Sequence, residues 1–105
     1  MIGVRMVIER FVDAAQPGFV AFSIVDAAGR TWSFVDKVPV VAAEALDPET
    51  TYPRPGWIAC TIVERSVRAD GRALAVIDTG APWSIAAEGG ETRFEVFASE
   101  LRERE

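Results

Sequence analysis

Apolar residues recur at every second position through most of this chain, the spacing of half-buried strands rather than of helices. Between Ile2 and Val12, Val4, Met6 and Ile8 share one parity, with Arg5 between them, and Pro17-Gly18 then breaks the run in a turn. Phe19 to Val25 and Arg30 to Val38 read as a β-hairpin whose register can be argued. With Ala27-Ala28-Gly29 as a three-residue loop and Gly29 left-handed, Asp26 faces Arg30, Ile24 faces Trp32 and Phe22 faces Phe34. The four apolar residues then share one face, and a one-residue slip would split them.

A second hairpin follows, Trp57 to Arg68 and Arg72 to Asp78 flanking Ala69-Asp70-Gly71. In its first arm Ile58, Cys60 and Ile62 share one parity and Val63 and Val67 the other, which predicts a central strand covered on both faces. Thr92 to Ala98 is the last strand, with Phe94, Val96 and Ala98 on one parity, and residues 99–105 (SELRERE) are expected to be a charged, frayed tail. Six strand-like runs and no long amphipathic helix predict one all-β domain over residues 1–105. The specific expectation is a small six-stranded Greek-key barrel or sandwich with at most one short helical turn, placed in VVAAEAL at residues 40–46.

Between the hairpins lies a long connection, residues 42–56, stiffened by Pro48, Pro53 and Pro55. Its net charge is −2, from Glu44, Asp47 and Glu49 against Arg54. Connections of this length either cross from one part of a barrel to another or bind something. On the binding reading Glu44, Asp47 and Glu49 supply charge, and Tyr52, between prolines, supplies a rigid contact. Trp57 and Trp83 each follow a turn signal, which predicts plugs at a barrel end or, alternatively, interface anchors.

Composition narrows the chemistry. The 105 residues carry 11 basic and 16 acidic side chains, a net charge of −5, with no histidine and one cysteine. Nucleophilic catalysis through an imidazole base is therefore closed to the chain, as is an intrachain disulfide. Zinc, haem and iron–sulfur sites draw on His and Cys, so neither metal nor cofactor is expected. Lys37 is the only lysine; the ten arginines are unclustered in sequence and accompany the Ala, Gly and Pro content of GC-rich codons. Nucleic-acid binding is disfavoured by the acidic balance, and a basic protein partner suits it better. The amino terminus has no signal-peptide pattern and the apolar runs are too short to span a bilayer, so a cytoplasmic protein is expected.

One segment carries a resemblance. Ala75-Val76-Ile77-Asp78-Thr79-Gly80-Ala81, an apolar strand running into Asp-Thr-Gly-Ala, is similar to the active-site segment of retroviral-type aspartic proteases. The resemblance implies Asp78 as a catalytic acid shared across a homodimer, with Thr79 bracing its loop. It covers seven residues, and the chain after Gly80 supplies neither a flap hairpin nor a second apolar loop, which favours ordinary turn chemistry at Asp78. Phe19, Phe22, Trp32 and Phe34 would make a stacking platform, and GFVAFS echoes an RNA-recognition strand, but the lack of basic neighbours favours a core. Cys60 lies on a core parity and is expected to be an inert thiol. Lys37 and Glu88-Gly89-Gly90-Glu91 complete no catalytic or metal-binding set. The expectation is a non-enzymatic β-barrel domain that binds a protein partner, immunity- or adaptor-like, with Glu44, Asp47, Glu49, Tyr52, Trp57 and Trp83 as contact residues. The alternative is a barrel that takes a small ligand or an oligonucleotide at its mouth.

Overall fold

The computed structural model of the chain describes residues 1–42 and 45–103. Its elements in chain order are β1 (Ile2–Asp13), β2 (Phe19–Val25), β3 (Thr31–Lys37), the single helical turn α1 (Val38–Val41), β4 (Arg54–Val67), β5 (Ala73–Asp78), β6 (Arg93–Phe97), a 3₁₀ turn (Ala98–Glu100) and β7 (Leu101–Glu103). The sheet is antiparallel and runs β3-β2-β1-β4-β5-β6. Three hairpin-connected strands followed by a fourth that returns beside the first is Greek-key topology. The sheet curls into a half-barrel, so the small all-β barrel expected from the sequence is present.

The first hairpin has the expected register: Phe22 lies opposite Phe34 and Ile24 opposite Trp32. The Asp26 amide donates to the Arg30 carbonyl at 2.9 Å, and Gly29 has φ +84°. Asp26 does more than close the turn. Its Oδ1 accepts from the amides of Ala28 and Arg30, and its Oδ2 from the Trp32 indole, all at 2.9 Å. The second hairpin repeats the device, with Gly71 at φ +88° and the Arg68 amide donating to Arg72 O.

Val4, Met6, Ile8, Val20, Phe22, Ile24, Phe34, Ile58, Ile77, Phe94 and Val96 fill the concave side. Phe22 and Phe34 stack with ring centroids 5.0 Å apart, and Phe94 packs edge-on to Phe34 at 5.7 Å and to Trp32 at 5.1 Å. These aromatic contacts join β3 to β6, the two ends of the sheet. Two backbone bonds help close the same seam, from Ala27 N to Glu95 O at 2.8 Å and from Glu88 N to Ser33 O at 2.9 Å. The stacking-platform residues Phe22 and Phe34 are therefore core.

Three expectations need correction. The far half of β4 is not covered on both faces: Val63 is 44% and Val67 69% exposed. A bulge between Ile62 and Glu64 re-aims the strand, so the alternate apolar parity faces solvent. The helical turn lies earlier than residues 40–46, because Pro39 suits a first helical turn and Ala42 is already extended. Residues 99–103 are not frayed. β7 pairs with β1, Leu101 packs on the core, and Glu103 accepts a bond from the amino terminus at 2.8 Å. β1 consequently has β4 along one edge, and β7 followed by β2 along the other.

Candidate functional site

The contact residues expected from the sequence do not form one surface. Glu44 lies outside the described residues. Asp47 organises its own loop, its Oδ1 accepting from the Glu49 amide at 2.8 Å and the Thr50 hydroxyl at 3.2 Å. The Tyr52 hydroxyl donates to the Asp47 carbonyl at 2.9 Å, while its ring, with Leu46, packs on the core. Asp-x-x-Thr turns of this kind satisfy local backbone and bring the chain back on itself. The connection is a crossover tied down from within, Glu49 is exposed on it, and Tyr52 is half-buried rather than projecting.

Trp57 and Trp83 are not plugs. Val4 and Ile58, opposite each other, point inward and are fully buried, so Arg5 and Trp57, the next opposed pair, point outward. Arg102 lies over the Trp57 ring at 3.9 Å and Arg5 at 5.7 Å. Trp83 is 48% exposed on the loop after β5.

At Asp78 the carboxylate caps the turn. It accepts the Gly80 amide at 2.7 Å and Arg93 Nε at 3.4 Å. The Gly80 bond is the largest cause holding its pKa below the usual carboxylate range, with the nearby Arg93 charge adding to it. Thr79 is wholly buried and donates to Ile85 O at 2.7 Å. Cys60 sits in the core, where burial pushes its thiol up to about 11. Among the described residues no group of three or more His, Cys, Asp or Glu side chains is placed to share a metal ion, and no helix is long and apolar enough to cross a membrane.

A different surface emerges on the convex side of the sheet. In one row Ser33, Ser23, Val7 and Pro55 lie side by side across β3, β2, β1 and β4. Val25 and Val35, two residues from Ser23 and Ser33 on the same face, flank that row, each within about 7 Å along its strand. Val7, Val25 and Val35 are 41%, 54% and 42% exposed. Two depressions flank Val7. One, about 280 Å³, is lined by Arg5, Met6, Val7, Pro53, Arg54 and Pro55. The other, about 110 Å³, lies where β2 and β7 diverge. The sequence carried a signal for this surface. Val7, Val25 and Val35 are apolar residues off the parity of Met6 and Ile8, of Ile24, and of Phe34.

No family model, curated protein or solved structure matches this chain.

Proposed function

We propose that this domain binds a protein partner through the convex face of its sheet. The carrying observation is that Val7, Val25 and Val35, spread across β1, β2 and β3 around the row that holds Pro55, are apolar and open to solvent on a face whose strand parity calls for polar residues. Single exposed apolar residues are common on surfaces, but three on one face of adjacent strands, with Pro55 in the same row, support a contact surface. Arg5 and Arg54 border it and Arg102 lies over the neighbouring Trp57. Guanidinium groups around an aromatic ring suit acidic groups of a partner. Arg5, Arg54 and Arg102 beside these valines favour an acidic contact segment over the basic partner expected from net charge alone.

The test is a native co-purification from the source cells, comparing the chain with its Val25→Glu/Val35→Glu variant. The variant keeps its melting temperature within a few degrees, since both side chains are outside the core, and loses its partner. A partner retained at equal yield by the folded variant refutes the convex face as the contact.

A further inference from the structure

We propose that the overhanging half of β4 pairs edge to edge with the same segment of a second copy of this chain, giving a two-fold antiparallel dimer centred on Ser66. The inference is independent of the convex face and of what binds there.

β1 covers its edge of β4 only from Arg54 to Cys60, where Ile2 is the last residue in register. β5 lies along the opposite edge and pairs as far as Val67. Past Cys60, no strand among the described residues pairs with β4 on the β1 side. The Arg68 amide donates across to Arg72 O, so alternation turns the backbone groups of Ser66 and Glu64 toward β5 as well, and those of Arg65 and Val67 toward the open side. Glu64 to Val67 run in unbroken register with β5, and every residue from Val63 to Arg68 is exposed. Elsewhere the sheet protects its edges. Bonds from Ala27 to Glu95 and from Glu88 to Ser33 tie its ends together, and two irregularities break the overhang of β1 past Ile8.

Charge selects the occupant and the register. A two-fold axis normal to the sheet sets one residue opposite its own copy. Centred on Glu64 or on Arg65, the pairing would bring like charges face to face. Centred on Ser66, it sets Glu64 opposite Arg68 of the second copy and Arg68 opposite Glu64 of the second copy, all on the face that Ser66 shares with them. Charged side chains ordinarily keep an edge from pairing, but Glu-Ser-Arg along this face matches its own reverse. In the same register Arg65 exchanges both backbone bonds with Val67 of the second copy, and symmetry repeats the exchange. Val67, 69% exposed in the single chain, then lies beside the aliphatic stem of Arg65 of the second copy. Arg68 is available for the pairing, because its ion pair with Asp70 is 3.6 Å long and solvent-exposed and contributes little.

Sedimentation velocity of the full chain tests this. So short an edge makes a small interface, and the dimer should appear at chain concentrations of about 0.1–1 mM. As it forms, hydrogen exchange at the Arg65 and Val67 amides should slow relative to dilute protein. Arg68→Glu should weaken dimerisation about tenfold by setting Glu against Glu at both ends, and Glu64→Arg/Arg68→Glu, which reverses both charges, should restore it. Arg65→Pro should abolish the dimer with the fold intact, since that N–H serves only the open edge. A chain that stays monomeric at about 1 mM, a dimer indifferent to Arg68→Glu, or a charge-reversed variant no better than Arg68→Glu overturns the proposal. So does a dimer that keeps its strength in folded Arg65→Pro or slows exchange elsewhere, because it uses another surface. A monomer whose native complex is lost on Arg65→Pro overturns self-pairing in favour of a foreign strand on the same edge.

Discussion

Asp26 is the side chain on which the seam of the half-barrel depends, and replacing it gives a pH-resolved test. One carboxylate oxygen holds the turn amides of Ala28 and Arg30, and the other holds the Trp32 indole N–H. That turn positions Ala27 to donate to Glu95 on β6, and Trp32 to meet Phe94 edge-on. In Asp26→Asn the carbonyl oxygen can keep the turn amides, but the amide nitrogen then presents a donor to the indole donor. Losing one charge-assisted bond and leaving a half-buried N–H unpaired costs about 2 kcal/mol, and Asp26→Ala, which empties all three positions, costs about 3 kcal/mol. Desolvation is the largest single influence on the Asp26 carboxyl and raises its pKa. The bonds from Trp32, Arg30 and Ala28, with the Arg30 charge, outweigh it and leave the pKa below its ordinary value of 3.8. A depressed folded-state pKa means stability that is fully present above 3.8 and is lost as pH falls through the lower folded value. Urea unfolding of the native chain and Asp26→Asn should therefore differ by about 1 M in midpoint at pH 7 and converge as the pH drops below 3.8. A midpoint difference that stays constant from neutral pH to below the folded pKa refutes the reasoning.

Three further outcomes follow from the packing. Phe34→Ala removes a fully buried ring that stacks on Phe22 and meets Phe94, and should cost about 4 kcal/mol, read as a drop in thermal midpoint. Thr79→Val leaves the Ile85 carbonyl without its 2.7 Å donor inside the core, and should cost about 1–3 kcal/mol by urea unfolding. Cys60, buried with a thiol pKa of about 11, should resist iodoacetamide at pH 8 in the folded chain and react fully in urea, whereas rapid labelling of folded protein would mean the site opens.

Much of the fold was legible in sequence because it is set locally. The Phe22–Phe34 and Ile24–Trp32 register follows from a three-residue loop and a glycine that can take positive φ, and both lie within a dozen residues of each other. The core parity of β1, the buried state of Cys60 and the turn role of Asp78 are equally short-range. The candidate site was not legible. Glu44, Asp47, Glu49 and Tyr52 stood out by composition, but whether a loop residue points to solvent or ties its own loop is decided by bonds such as Tyr52 to Asp47, which composition does not encode. Alternation identified the buried parity of each strand and, by the same rule, the outward one. It could not say that β1, with Val7, lies beside the hairpin that carries Val25 and Val35.

What the sequence by itself determined is therefore the all-β class, the two hairpins, and the exclusion of imidazole and intrachain disulfide chemistry. Each of these depends on composition or on contacts a few residues apart. Only the tertiary structure decided that the outward valines share one face of adjacent strands, that the last strand returns to β1, and that β1 changes partners between Val4 and Val7, leaving a depression lined by Arg5 and Ser23. Those features arise from pairings as distant as Ile2 with Glu103, and the sequence pattern of one strand carries no record of which strand will lie beside it.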